Sequence, residues 1–69
     1  MKAQVGDYIK GSVKDAHGNR KVSVLKVVRL LNEDDPQIAA YELEDASMIG
    51  DWEIGHDDVL LESEAAELL

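Results

Sequence analysis

The sequence predicts a small, mostly-β antiparallel domain of about five strands with a short C-terminal helical turn. Three observations predict it. Residues 22–31 (VSVLKVVRLL) are dense in β-branched side chains; residues 38–44 and 51–54 alternate in polarity; and Gly, Asn, Asp and Pro punctuate the runs between them.

The elements follow in order. Val5 to Val13 reads as an extended segment, with Gly6 and Gly11 marking bends or a bulge. Asp15 to Asn19 is a loop. Val22 to Leu31 is the second strand; its alternation slips around Leu25–Val28, so a bulge or sharp bend is expected there. Asn32 to Pro36 is a loop, because Pro36 pushes Asp35 out of the helical region. Ile38 to Glu44 follows as a strand with Ala39, Tyr41 and Leu43 on one face. After a turn over Asp45–Gly50, residues 51–54 (DWEI) form a strand with Trp52 and Ile54 inward. Gly55 to Asp58 is a single turn, and Val59 to Leu61 a last strand. Ser63 is placed to cap a closing turn over Glu64–Leu69. The expected core is Val22, Val24, Tyr41, Leu43, Trp52 and Ile54. Closing the strands into a barrel would remove exposed edges, giving a barrel over residues 1–62 and a tail over 63–69.

Composition sets the bounds. The chain has 69 residues, allowing one domain, and a domain this small buries only about 60% of the surface its unfolded chain exposes. It has no cysteine, hence no disulfide and no thiolate metal site. No apolar run approaches the ~18 residues of a membrane span, so no membrane partner and a cytoplasmic location are expected.

Charge is unevenly placed within a net −8. The first 31 residues hold all seven bases and two acids, +5; the remainder holds thirteen acids and no base, −13. The two halves are expected to pair as sheet neighbours.

The opening residues 1–9 (MKAQVGDYI) resemble the start of small bacterial SH3-like barrels, which often begin with a Val-Gly-Asp turn into the first strand. Tyr41-Glu42-Leu43-Glu44-Asp45, followed by residues 50–54 (GDWEI) and by Asp58-Val59, looks like the Tudor-type order. In that order a Tyr-containing strand, an acidic turn, another strand and a one-turn 3₁₀ segment succeed one another. The resemblance implies a binding module. With no Phe in the chain, a methyl-ligand aromatic cage does not follow from it.

Dedicated chemistry is sparse. His17 and His56 lie in separate loops, and Asp57 and Asp58 beside His56 lack EF-hand spacing, so no metal or other cofactor is expected. Glu33, Asp34 and Asp35 read as a solvated loop. None of Ser12, Ser23, Ser47 and Ser63 sits in a nucleophile elbow. An enclosed pocket of ~300 Å³ or more is not expected in so small a barrel, and neither is an enzyme.

Three readings remain. The first is a protein-interaction module whose partner has a basic surface. Its candidate residues are a groove of Tyr8, Tyr41 and Trp52, or a carboxylate patch of Glu42, Glu44, Asp45, Asp51 and Glu53 gathered by the turn between two strands. The second is an acidic decoy of the phage or mobile-element type, imitating phosphates against a nucleic-acid-binding protein. The third is a nucleic-acid binder using Lys10, Lys14, Arg20, Lys21 and Lys26. Net charge opposes direct nucleic-acid contact, so the expected partner is a protein.

Overall fold

The computed structural model describes residues 1–68. Five antiparallel strands form one sheet: β1 (Tyr8–Lys14), β2 (Arg20–Leu31), β3 (Ala40–Leu43), β4 (Met48–Gly50) and β5 (Val59–Leu60), ordered β4-β3-β2-β1-β5. Two 3₁₀ turns, Asp51–Glu53 and His56–Asp58, join β4 to β5, and a single helix, α1 (Glu62–Ala66), follows.

The sheet does not close into the expected barrel. Its outer strands, β4 and β5, have three and two residues, and they pair only inward, with β3 and β1. Curvature comes instead from β2. Its register with β3 shifts between Val27 and Arg29, so Val28 is the extra residue and the strand bends there. The N-terminal part of β2 pairs with β1 and the C-terminal part with β3.

This bend lets one strand serve two layers. Ala3, Ile9, Val27, Tyr41, Leu43 and Ile54 form the core, with Leu25, Leu30, Ile49 and Val59 packed against it. The alternation read for β3 holds, since Ala39, Tyr41 and Leu43 are buried. Three core expectations fail. Val24 is only half-buried, because it pairs with Lys10 on the face of the hairpin turned away from Ile9 and Leu25. Val22 is 60% exposed and Trp52 63% exposed. Val22 lies on β2 before the bend and beyond the residues β3 covers. Trp52 fails because the strand read over residues 51–54 is a 3₁₀ turn, and the strand itself is Met48–Gly50.

Gly50 explains where the Trp52 ring went. A Cβ on Gly50 would lie 2.5 Å from the indole carbon Cη2, so the ring lies flat against the bare backbone. Gly50 pairs with Ala40 on the sheet face opposite Ile49 and Tyr41. The indole therefore covers the outer face and not the core. Helix α1 also starts earlier than expected: Leu61 is its N-cap and Ser63 lies within it. Leu69 falls outside the described residues.

Candidate functional site

Between the β1–β2 hairpin and the β3–β4 turn lies an open groove of about 760 Å³. Ile9, Leu43 and Ile54 from the core reach its floor, beside half-buried Leu25 and Ile49. Lys10, Gly11, Ser12 and Ser23 border it on the hairpin side. Asp45, Ser47, Met48, Glu53 and Asp58 border it opposite. The groove thus combines an apolar floor with a rim of three carboxylates and one lysine, a composition suited to an apolar and basic ligand. Its volume exceeds the size expected, but it is open and not enclosed.

Three turns shape the acidic rim. Asp45 Oδ1 accepts the Ser47 backbone N–H at 3.0 Å and the Ser47 hydroxyl at 2.5 Å. These bonds, the hydroxyl first, hold the Asp45 carboxyl below its ordinary value. Glu53 Oε2 accepts the Gly50 N–H at 2.8 Å and Asp58 Oδ2 the Gly55 N–H at 3.4 Å. In each turn a carboxylate three residues on reaches back to an N–H left unpaired at the start. Glu64 does the same for Leu61 in α1, at 3.1 Å.

The aromatic residues do not assemble into a groove. Tyr41 is fully buried, its hydroxyl accepting the Ala3 N–H at 2.9 Å and donating to Asp51 Oδ1. Trp52 lies over Gly50 on the outer face. Tyr8, on β1, is separated from β3 by β2. The five carboxylates divide as well. Asp45 and Glu53 reach the groove, while Glu42 pairs with Arg29 at 2.9 Å on the outer face, and Glu44 is exposed. Asp51 is structural: its Oδ1 also accepts the Lys2 N–H at 2.9 Å, and Lys2 Nζ donates to the carbonyls of Asp51 and Ile54. Burial first, then the Asp51 bond, push the Tyr41 phenol up. The Tyr41 hydroxyl, then the Lys2 N–H, hold the Asp51 carboxyl down.

Sequence reasoning missed the groove floor of Ile9, Leu25 and Ile49, and the rim residue Asp58. The rim had a local signal: Gly50-x-x-Glu53 and Gly55-x-x-Asp58 both place a carboxylate three residues after a glycine N–H, the back-reaching half of the capping-box spacing. The floor had none, because it depends on which strands remain unpaired. Charge pairing between the halves is sparse. Among the described residues the one salt bridge is Arg29–Glu42. Nor do all the acids serve as free surface charge. Asp7, Asp15, Asp35, Asp45, Asp51, Glu53, Asp58 and Glu64 each accept a backbone N–H.

No protein-family model, curated protein or solved structure matches the chain.

Proposed function

We propose that this chain is a non-enzymatic, SH3-like protein-interaction module that receives an extended, apolar and basic segment of a partner protein in the groove beside β1. The open apolar floor with its three-carboxylate rim carries the reading. The Tyr-containing strand β3 and the acidic turn after it support the reading, while residues 51–53, read as part of the next strand in that resemblance, fold as a 3₁₀ turn. The groups with displaced pKa values have structural tasks: Tyr41 and Asp51 tie down the N-terminus, and Asp45 shapes its turn. Binding, not proton transfer, is the chemistry this arrangement serves.

Gly11 gives a clean test. It borders the groove on the same strand face as Ile9, and a Cβ there would meet nothing within 4 Å. Gly11→Phe therefore fills the groove without straining the backbone. Random peptides displayed on phage and panned against the wild-type domain should enrich sequences alternating apolar residues with Lys or Arg. The Gly11→Phe variant should lose that enrichment at an unchanged melting temperature. Identical enrichment on both proteins would remove the groove from consideration. If that shared enrichment also vanished with salt, it would favour the acidic-decoy reading, which draws on the thirteen acids after Leu31.

A further inference from the structure

The β1–β2 hairpin, residues 8–26, forms an arm with a charge of its own. It holds five bases and one acid, +4, on a body that holds two bases and fourteen acids, −12. Beyond Ile9, β5 no longer pairs with β1, and β3 meets β2 only from Val27 onward. The arm therefore projects as a two-stranded ribbon with both edges open. Its register sets Tyr8 opposite Lys26, Lys10 opposite Val24, Ser12 opposite Val22 and Lys14 opposite Arg20. Directly opposed residues share a face, so Lys10, Lys14, Arg20 and Lys26 stand together on the face opposite to that of Ile9 and Leu25.

Neither these four cations nor Lys21, the arm's fifth base, makes a salt bridge among the described residues. Lys14 and Arg20 are like charges set directly across the ribbon, an arrangement that costs stability. The arm's one acid, Asp15, forms no salt bridge with them among the described residues; its Oδ1 accepts the N–H groups of His17 and Asn19, both at 2.9 Å. Arg20 Nη1 is instead propped on the Ser12 hydroxyl at 3.3 Å.

We propose that this face of the arm binds the phosphate backbone of duplex DNA. Net charge opposes such contact only if the charges are mixed, and here the fold separates them. From Lys10 to Lys14 the ribbon runs roughly 13 Å, beyond the ~8 Å over which exposed charges act at physiological salt. The acidic body is therefore screened from what the tip touches. Two strands ~4.8 Å apart fit the ~12 Å major groove of B-form DNA, which admits a β-ribbon. A second copy of this chain is the competing occupant. It is less suited, because the acids of the body are divided among several faces and many are bound to backbone N–H groups.

The proposed face shares only Lys10 and Ser12 with the border of the groove, and the tip residues Lys14 and Arg20 lie outside it, so the two readings fail separately. The test is fluorescence anisotropy of a labelled duplex of about 20 base pairs, with sedimentation of the protein alone in the same buffers. Four phosphate contacts predict an affinity falling about 10²-fold between ~50 and ~200 mM salt. Lys14→Glu should weaken binding at least tenfold while leaving the melting temperature equal or higher, because it turns an opposed like-charge pair into an ion pair. A purely structural role for Lys14 would not separate the two readouts. Lys10 is spared as a target because it also borders the groove. Anisotropy unchanged at low salt, binding indifferent to salt, or Lys14→Glu binding as tightly as wild type would each overturn the proposal. Mass growth of the protein alone at low salt, with no duplex bound, would overturn it in favour of self-association.

Discussion

The body of this chain is held by a core, and its arm by little more than a ladder. In the body, β3 is covered by neighbours on both edges, and Val27 and Tyr41 have no exposed surface. In the arm two strands pair only with each other beyond Ile9 and Leu25, and Val22 stands mostly in water. A two-stranded hairpin is at best marginally stable in isolation, so the arm borrows its order from the bend in β2. What separates the regions is the number of neighbours a strand has, since their strand-forming residues are alike in type. Hydrogen exchange should follow this division, with arm amides past Lys10 exchanging well before those of β3.

The largest effects belong to the body. Leu43→Ala and Ile54→Ala should each cost about 2–4 kcal/mol, measured by urea unfolding, which in so small a domain is much of the total. Midpoints unmoved in both variants would mean the core is not where the structure puts it.

Tyr41→Phe comes next. It keeps the ring but leaves the Ala3 N–H and the Asp51 carboxylate short of a partner, at about 1–3 kcal/mol. It also has a signature in pH. The carboxyl of Asp51 is held below 3.8 by the Tyr41 hydroxyl first. Its stabilisation is therefore complete above that value and is lost as pH falls through the folded one. The phenol of Tyr41 is raised above 10.0, by burial first. Its stabilisation is intact below that value and is lost as pH rises through the folded one. Melting temperature against pH should be flatter in Tyr41→Phe on both the acid and the alkaline side. An unchanged profile would show that the pair does not anchor the N-terminus.

Gly50→Ala should have a smaller effect, about 1 kcal/mol. The new methyl displaces an indole that is already 63% exposed and can lift away. Tryptophan emission, from the single Trp52, should shift to the red. The smallest change belongs to the arm: Val22→Ala should stay within about 0.5 kcal/mol of wild type. A cost near that of Leu43→Ala would erase the distinction between arm and body.

The sequence carried much of this division. β-Branched density marked β2, and its slipped alternation marked the bend that appears at Val28. Alternation in β3 placed Tyr41 and Leu43 inward. The Trp52 segment misled because Asp51-Trp52-Glu53-Ile54 satisfies a period of two by coincidence over four residues. The 3₁₀ turn there depends on Glu53 reaching back to the Gly50 N–H and on the indole finding the bare Gly50 backbone. Of the sequence-stated site residues, Asp45 and Glu53 are at the groove. Tyr41 and Asp51 proved to be anchors, which no local pattern distinguishes from surface groups.

The first three strands, the loops between them and the separation of charge along the chain were determined by the sequence alone, because each rests on neighbours within a few residues: side-chain branching and Gly and Pro backbone limits. Tertiary structure decided which strand edges stay open, and that an open groove lies between the β1–β2 hairpin and the β3–β4 turn. It also decided that five bases share an arm with no salt bridge among the described residues while Tyr41 and Asp51, ten positions apart, meet Lys2 and Ala3 at the other end of the chain. Those outcomes depend on contacts between residues distant in sequence, fixed only when β2 bends and its two halves take different neighbours.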